Sequence, residues 1–375
     1  MKVSCTKENL SQALSLVGGI TGKNINLPIL NNVLIKVEPQ KMELIATNLE
    51  VAAVVTVRAK IEEPGSFTIP TRTLAEYVNL LPNEKINLEL QENELVVQCG
   101  KASTKIKGTS AEDFPVVPAA EGGQGYLLNA KELKEGLLQV LPAVAKSDIR
   151  PELAGVYMGF NVNGNNGTVT LAATDSYRLA EKRIPLLQGD AEHRTILPGR
   201  AAQELVRVLS VTSETEGETQ VRFLVSENQI AVHYGNVELT SRLVEGQYPD
   251  YTQIIPKEFR TTAEVATDEL TKEMKASGLF TTSGVNAVTL RFEPVSGKIE
   301  VTATSTQTGE YASEMEGAVK GEENTLVLNN RYVLDGLNNI GSAEATLKLI
   351  NADSPCVLTA KGNTDYLYIV MPIRQ

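Results

Sequence analysis

The sequence predicts an α+β protein of three repeated domains, each with two helices packed on antiparallel sheets. Three observations predict it. Ala46-Thr47-Asn48, Ala173-Thr174-Asp175 and Ala303-Thr304-Ser305 each follow an apolar strand pattern, their threonines roughly 127 and 130 residues apart. Phe114-Pro115, Tyr248-Pro249 and Met371-Pro372 each set an aromatic residue or methionine before proline, at roughly the same period. Within each repeat a helical stripe comes first, then Val/Thr/Ile-rich strands, then a second helix and more strands. The domains so drawn are residues 1–122, 123–253 and 254–375. The Gly-rich stretch Glu121-Gly122-Gly123-Gln124-Gly125 marks the first boundary and Pro249 to Pro256 the second.

In the first domain Leu10, Ala13, Leu14 and Val17 fall at helical i, i+3, i+4, i+7 spacing. Strands follow over 33–37 and 51–57. Leu74, Tyr77, Val78 and Leu81 repeat the helical spacing, after Thr71 as an N-cap and before Pro82. Residues 86–90 alternate as a half-buried strand does. In the second domain the stripes are Leu133, Leu137, Val140, Leu141 and then Ala202, Leu205, Val206, Leu209, with a strand over 168–171. Gly164-Asn165-Asn166-Gly167 reads as a hairpin turn. In the third they are the short Leu270, Met274 pair and then Val333, Leu334, Leu337, Ile340, with a strand over 289–292. Six half-units of one helix plus strands result. Sheets carrying their helices on one face bury these stripes and turn the helices' polar faces outward.

Composition removes several classes of function. A chain of 375 residues with 42% hydrophobic and 22% charged residues has enough apolar side chains for several cores. No apolar run approaches the ~20 residues that span a bilayer. The opening MKVSCTKENL lacks the apolar centre of a signal peptide, so a cytoplasmic location is expected. Cys5, Cys99 and Cys356 lie far apart and none forms a CxxC pair, which fits small buried side chains in a reducing compartment. His193 and His233 are the only histidines, too few for an imidazole metal site or for most acid–base chemistry. Gly18-Gly19-Ile20-Thr21-Gly22-Lys23 fails as a phosphate loop, because Val17 and Asn24 stand where glycine and Ser/Thr are needed. Ser4-Cys5-Thr6-Lys7 has the SxxK spacing without its partner motifs. No catalytic residue, metal or cofactor is therefore expected.

The net charge of -11 opposes nucleic-acid binding only if the charge is evenly spread. The helix faces opposite the stripes carry Lys7 and Ser11; Arg72; Lys131 and Lys134; Arg200, Gln203 and Arg207; Lys272 and Lys275; and Arg331, beside the acids Glu76, Glu135 and Asp335. Such faces are either a weakly cationic surface toward phosphates or ordinary solvated helix sides. Aromatic residues are 5% and tryptophan is absent, which argues against stacking platforms for single strands.

The repeats, together with ATDSYRLA (173–180), EGQYPDY (245–251), YIVMPIRQ (368–375), LPIL (27–30) and SAEDFP (110–115), resemble the beta subunit of bacterial DNA polymerase III over the whole chain. The resemblance implies DNA-clamp domains that close, as a head-to-tail homodimer, into a ring lined by twelve helices. The ring surrounds duplex DNA without reading its sequence. It implies a dimer seam near Thr104 and Ile106 on one side and Leu279 and Phe280 on the other, although the last two also suit a core. It points to Lys23, Asn24, Arg72, Lys146, Arg150 and Arg200 as DNA-facing; Glu152 stands where the family carries an aromatic. It further implies a cleft for short linear motifs of the polymerase alpha subunit, the clamp loader, other polymerases and mismatch-repair proteins. The matching residues are Leu153, Thr174, Tyr177, Arg178, Leu179, Pro249, Ile254, Pro355, Ile369, Met371, Pro372, Ile373 and Arg374. The apolar ones would take a peptide's Leu or Phe anchors, and Arg178 and Arg374 would hold polar or acidic groups at the rim. Ser176-Tyr177, Gln253 and the final Gln375 depart from some relatives. The implied role is processivity without catalysis; an acidic repeat scaffold that binds only proteins is the alternative.

Overall fold

The computed structural model describes residues 1–22, 26–117, 122–147, 149–212 and 219–374. Among the described residues, six α-helices alternate with antiparallel strands: α1 Lys7–Gly18, α2 Thr71–Leu80, α3 Ala130–Val140, α4 Gly199–Thr212, α5 Thr267–Gly278 and α6 Asn330–Asn339. The starts of α1, α3 and α6 follow capping chemistry. The Thr6 hydroxyl accepts from Asn9 N at 3.2 Å, Asn129 accepts from Lys131 N and Glu132 N, and Asn329 accepts from Arg331 N and Tyr332 N. Thr71 is not the expected cap: it is the first helical residue of α2, after Pro70, and its side chain is buried.

The chain folds into two compact units. One comprises Met1–Lys134, Leu186–Ala191 and Arg200–Leu243; the other comprises Glu135–Pro185, Glu192–Gly199 and Val244–Gln375. The middle repeat is thus divided, and strand pairing explains the division. In the first unit Val237–Arg242 pairs antiparallel with Val51–Val57, from Val237↔Val55 to Ser241↔Val51. In the second, the start of strand Arg178–Gln188 pairs antiparallel with Tyr366–Val370, from Arg178↔Val370 to Lys182↔Tyr366.

The first unit contains a five-stranded sheet in the order Ala59–Glu63, Lys2–Thr6, Lys85–Gln91, Glu94–Cys99, Ala102–Lys107. Leu10, Leu14 and Val17 of α1 are buried, and α1 packs on α2 and on strands Met42–Thr47 and Val51–Val57. The second unit contains a four-stranded sheet in the order Gly309–Glu316, Lys298–Ser305, Ala287–Glu293, Asn324–Asn329. There Leu270 and Met274 of α5 are buried, and α5 packs on α6 and on the strands of that sheet. Burial at ~25 cal/mol per Å2 of apolar surface makes these stripes the main cohesive term.

The stripes differ in detail from the spacing. Val208 is buried in α4 and Val206 is half-buried. Tyr77, Leu141 and Leu334 also lie at the edges of their stripes, half-buried. The third repeat marker shifts by one residue. Ser305, buried, accepts from Gln307 N and Thr308 N, whereas Thr304 is exposed.

Candidate functional site

The residues expected to form the cleft lie in the second unit, around one turn. Strand Thr168–Thr174 ends where Thr174 pairs with Leu179, and the chain reverses through Asp175, Ser176, Tyr177 and Arg178. The Thr174 hydroxyl donates to Arg178 O at 2.6 Å and accepts from Ser176 N at 3.1 Å. The Asp175 carboxylate accepts from Tyr177 N at 3.0 Å and Arg178 N at 3.1 Å. These bonds satisfy a turn whose Ser176 sits in the left-handed region at φ 77°. Tyr177 is thereby turned outward and is 64% exposed. The C-terminal segment docks on the turn: Met371 N donates to Tyr177 O at 2.9 Å, and Ile373 N donates to Val327 O at 2.8 Å.

Beneath the turn lies an apolar cluster of Leu153, Tyr157, Ala172, Leu179, Ile196, Tyr248, Tyr251, Val357 and Ile369, with Met371 packed against it. Leu179 and Ile369 are direct strand partners. Leu153, Leu179 and Ile369 are fully buried and form a floor. Pro249, Pro355, Met371, Pro372 and Ile373 are half-buried, and Ile254 and Arg374 are exposed. The structure gathers Leu153, Leu179, Ile369 and Met371 into this one cluster. Tyr157, Tyr248 and Tyr251 pack within it in tilted and edge-to-face contacts, ring centroids 5.3, 6.1 and 6.2 Å apart. The Tyr251 hydroxyl donates to the buried Glu181 at 2.7 Å, and Arg183 donates to the other Glu181 oxygen at 2.8 Å. Burial and the Glu181 charge hold the Tyr251 phenol well above its ordinary pKa.

Arg178 departs from its expected place at a rim. Its side chain is 6% exposed. Nε donates to Asp175 at 3.0 Å, Nη1 donates to Asp335 of α6, and the guanidinium lies 4.5 Å over the Tyr332 ring. Burial works against its charge, but Tyr368, Asp335 and Asp175 together raise its pKa. Arg374 is therefore the exposed cation of the expected pair. Sequence reasoning missed the tyrosine cluster, Glu181 and Tyr332, and took Asp335 only as an acid on a helix face. Tyr248 and Tyr251 do stand in the EGQYPDY motif, whereas Arg178 and Asp335 lie 157 positions apart and no spacing rule joins them.

Of the expected DNA-facing residues, Lys23 and Asn24 lie outside the described residues. Arg72, Lys146, Arg150 and Arg200 are exposed. Arg72 pairs with Glu76 at 2.7 Å, which raises its pKa, and Arg150 pairs with Glu152 at 2.9 Å. Arg207 is no part of an open cationic face. It donates to Glu204 at 2.8 Å, to Ser15 O at 2.5 Å and to Leu16 O, closing carbonyls at the C-terminal end of α1. A Cβ at Gly19 would collide with both Arg207 and Glu204, so glycine permits this approach.

At the expected seam, Thr104 and Ile106 lie on Ala102–Lys107, the end strand of the five-stranded sheet, with Thr104 half-buried and Ile106 buried. Leu279 is 71% exposed, which removes the core alternative for it. Phe280 stacks on Tyr311 at 5.8 Å, and Tyr311 belongs to Gly309–Glu316, the end strand of the four-stranded sheet. The end strand near Thr104 carries Lys105 and Lys107, and the end strand near Phe280 carries Glu310, Glu314 and Glu316.

Comparison with known proteins matches three family models along the chain. These are the DNA polymerase III beta subunit N-terminal domain at residues 1–118, its central domain at 127–250 and its C-terminal domain at 252–374. The beta sliding clamps of Synechococcus elongatus and Pseudomonas aeruginosa are 27% and 28% identical, each over all of this chain and at least 99% of the relative. The crystal structure of the DNA polymerase III beta subunit from Thermotoga maritima superposes with TM-score 0.93 at 27% identity, covering 100% of this chain and 99% of that one. A Pseudomonas aeruginosa sliding clamp bound to griselimycin superposes with TM-score 0.93 at 28% identity, over 100% of each chain. With its helices on antiparallel sheets and all three domains present in order, the chain belongs to the DNA polymerase III beta subunit family.

Proposed function

We propose that this chain is a sliding clamp: two copies close head to tail into a ring around duplex DNA and tether the replicative polymerase. The match of all three family domains, in order and across the chain, carries this reading. The domains are proposed as residues 1–122, 123–253 and 254–375. Two sheet ends of opposite charge, without a further strand partner among the described residues, support closure. An end strand exposes N–H and C=O groups, and pairing the lysine-bearing strand of one copy with the glutamate-bearing strand of another satisfies both. Leu279 and Phe280 of one copy would then cover Thr104 and Ile106 of the other.

A ring holds its track by enclosure, so the role needs no bond chemistry and no tight grip. Few phosphate contacts suffice, and a strong one would oppose sliding. The exposed Arg72, Lys146, Arg150 and Arg200 are proposed for those contacts. Neutralisation of Arg72 by Glu76 and of Arg150 by Glu152 keeps them weak. The half-buried Met371, Pro372, Ile373 and Pro249, over the floor of Leu153, Leu179 and Ile369 and beside Tyr177, are proposed to take apolar anchors of linear motifs. The partners proposed are the polymerase alpha subunit, the clamp loader and other replication and repair proteins, in the cytoplasm.

Loading on nicked circular duplex and then linearising it tests the proposal. Retention on the circle and loss from the linear form is the expected result. Equal loss from both would favour the protein-only scaffold.

A further inference from the structure

The chain contains an internal control for its own cleft. In the first unit the turn Thr47–Val51 repeats the bonding of Thr174–Arg178. The Thr47 hydroxyl donates to Val51 O at 3.1 Å and accepts from Leu49 N at 3.0 Å. Asn48 accepts from Glu50 N at 3.0 Å and Val51 N at 2.8 Å, as Asp175 does in the other turn. Leu49 has φ 76° where Ser176 has 77°. Even the docking bond recurs, Arg242 N to Glu50 O at 2.9 Å matching Met371 N to Tyr177 O at 2.9 Å. The turns share only their first residue, threonine, and at the last position Val51 is 1% exposed where Arg178 is 6% exposed.

The turn therefore forms without a cation at this position. A buried arginine between two carboxylates is also a poor source of stability, because desolvation offsets the attraction. Its distinguishing consequence is a link: Arg178 joins the turn that presents Tyr177 to Asp335 and Tyr332 of α6. We propose that Asp335 is a positioning residue of the peptide cleft, acting through Arg178 to fix the Tyr177 turn against α6. This rests on the peptide-docking reading above. Without Asp335 the guanidinium keeps Asp175, which lies on its own turn, and the ion pair to the helix is gone. The turn gains freedom that a bound segment must then remove, and affinity falls.

A double-mutant cycle on the full-length protein tests this, read by fluorescence anisotropy with a labelled synthetic peptide carrying Leu and Phe anchors. Asp335→Asn is expected to weaken binding about tenfold, while the melting temperature moves by less than about 2 °C because Asp335 is half-exposed. In an Arg178→Val background, which gives the turn the last residue of the first unit's turn, Asp335→Asn is expected to change affinity less than about twofold. Arg178→Met replaces Arg178→Val if the shorter side chain lowers the melting temperature. An unchanged affinity in Asp335→Asn, or the same loss in both backgrounds, overturns the inference and leaves the docking reading standing. Failure of the unaltered protein to bind the peptide at all would instead overturn the docking reading, and this inference with it.

Discussion

Tyr177 and Tyr251 each stand in a sequence motif, ATDSYRLA and EGQYPDY, yet they have opposite duties. The turn under Tyr177 is bonded through backbone, Thr174 and Asp175, none of which needs the phenol. Tyr177→Ala is therefore expected to lower peptide affinity about tenfold, with stability within ~0.5 kcal/mol of the parent. Titration calorimetry beside thermal unfolding separates the two effects. Tyr251 donates to a buried carboxylate, so Tyr251→Phe removes a bond to Glu181 and is expected to cost ~1–3 kcal/mol in urea unfolding. Arg207 is of the second kind. Arg207→Met would uncover the Ser15 and Leu16 carbonyls and is expected to lower stability by ~1–3 kcal/mol.

At the scale of elements, the end strands are proposed to decide assembly. Leu279→Lys places a charge on an exposed leucine beside the Gly309–Glu316 edge, and sedimentation is expected to find folded monomers. A dimer of unchanged stability would remove Leu279 from the seam. The helices were legible in the sequence because buried stripes such as Leu10, Leu14 and Val17 obey a period that burial enforces. Strand 51–57 was legible to its last residue for the same reason. Val208 displaced Val206 because the width of a stripe depends on what packs against it, which spacing alone does not contain. Thr304 misled for a local reason: the third hairpin closes with Ser305 opposite Gly309, one residue shorter than the Thr47 and Thr174 turns. The Arg178–Asp335 and Arg207–α1 contacts were not legible, since both depend on tertiary approach between distant segments.

For the whole molecule, a net charge of -11 and a role on DNA are compatible because the exposed cations are local and partly paired. Salt is expected to weaken DNA contact, through counterion release, far more than it weakens retention on a closed circle. Gel filtration on circular and linear duplex across a salt series measures both. Deleting Met371–Gln375 removes the segment docked on Tyr177 and Val327 and is expected to abolish polymerase stimulation while the dimer persists. Undiminished stimulation would place the peptide site elsewhere.

The middle repeat shares its strands with both neighbours, Val237–Arg242 with Val51–Val57 and Arg178–Lys182 with Tyr366–Val370. Dissection at the repeat borders would thus tear two ladders and leave raw, unpaired strand margins on every fragment. Such pieces are prone to stick to one another, so a lone middle repeat would make a poor reagent, and soluble excisions should keep each shared ladder whole.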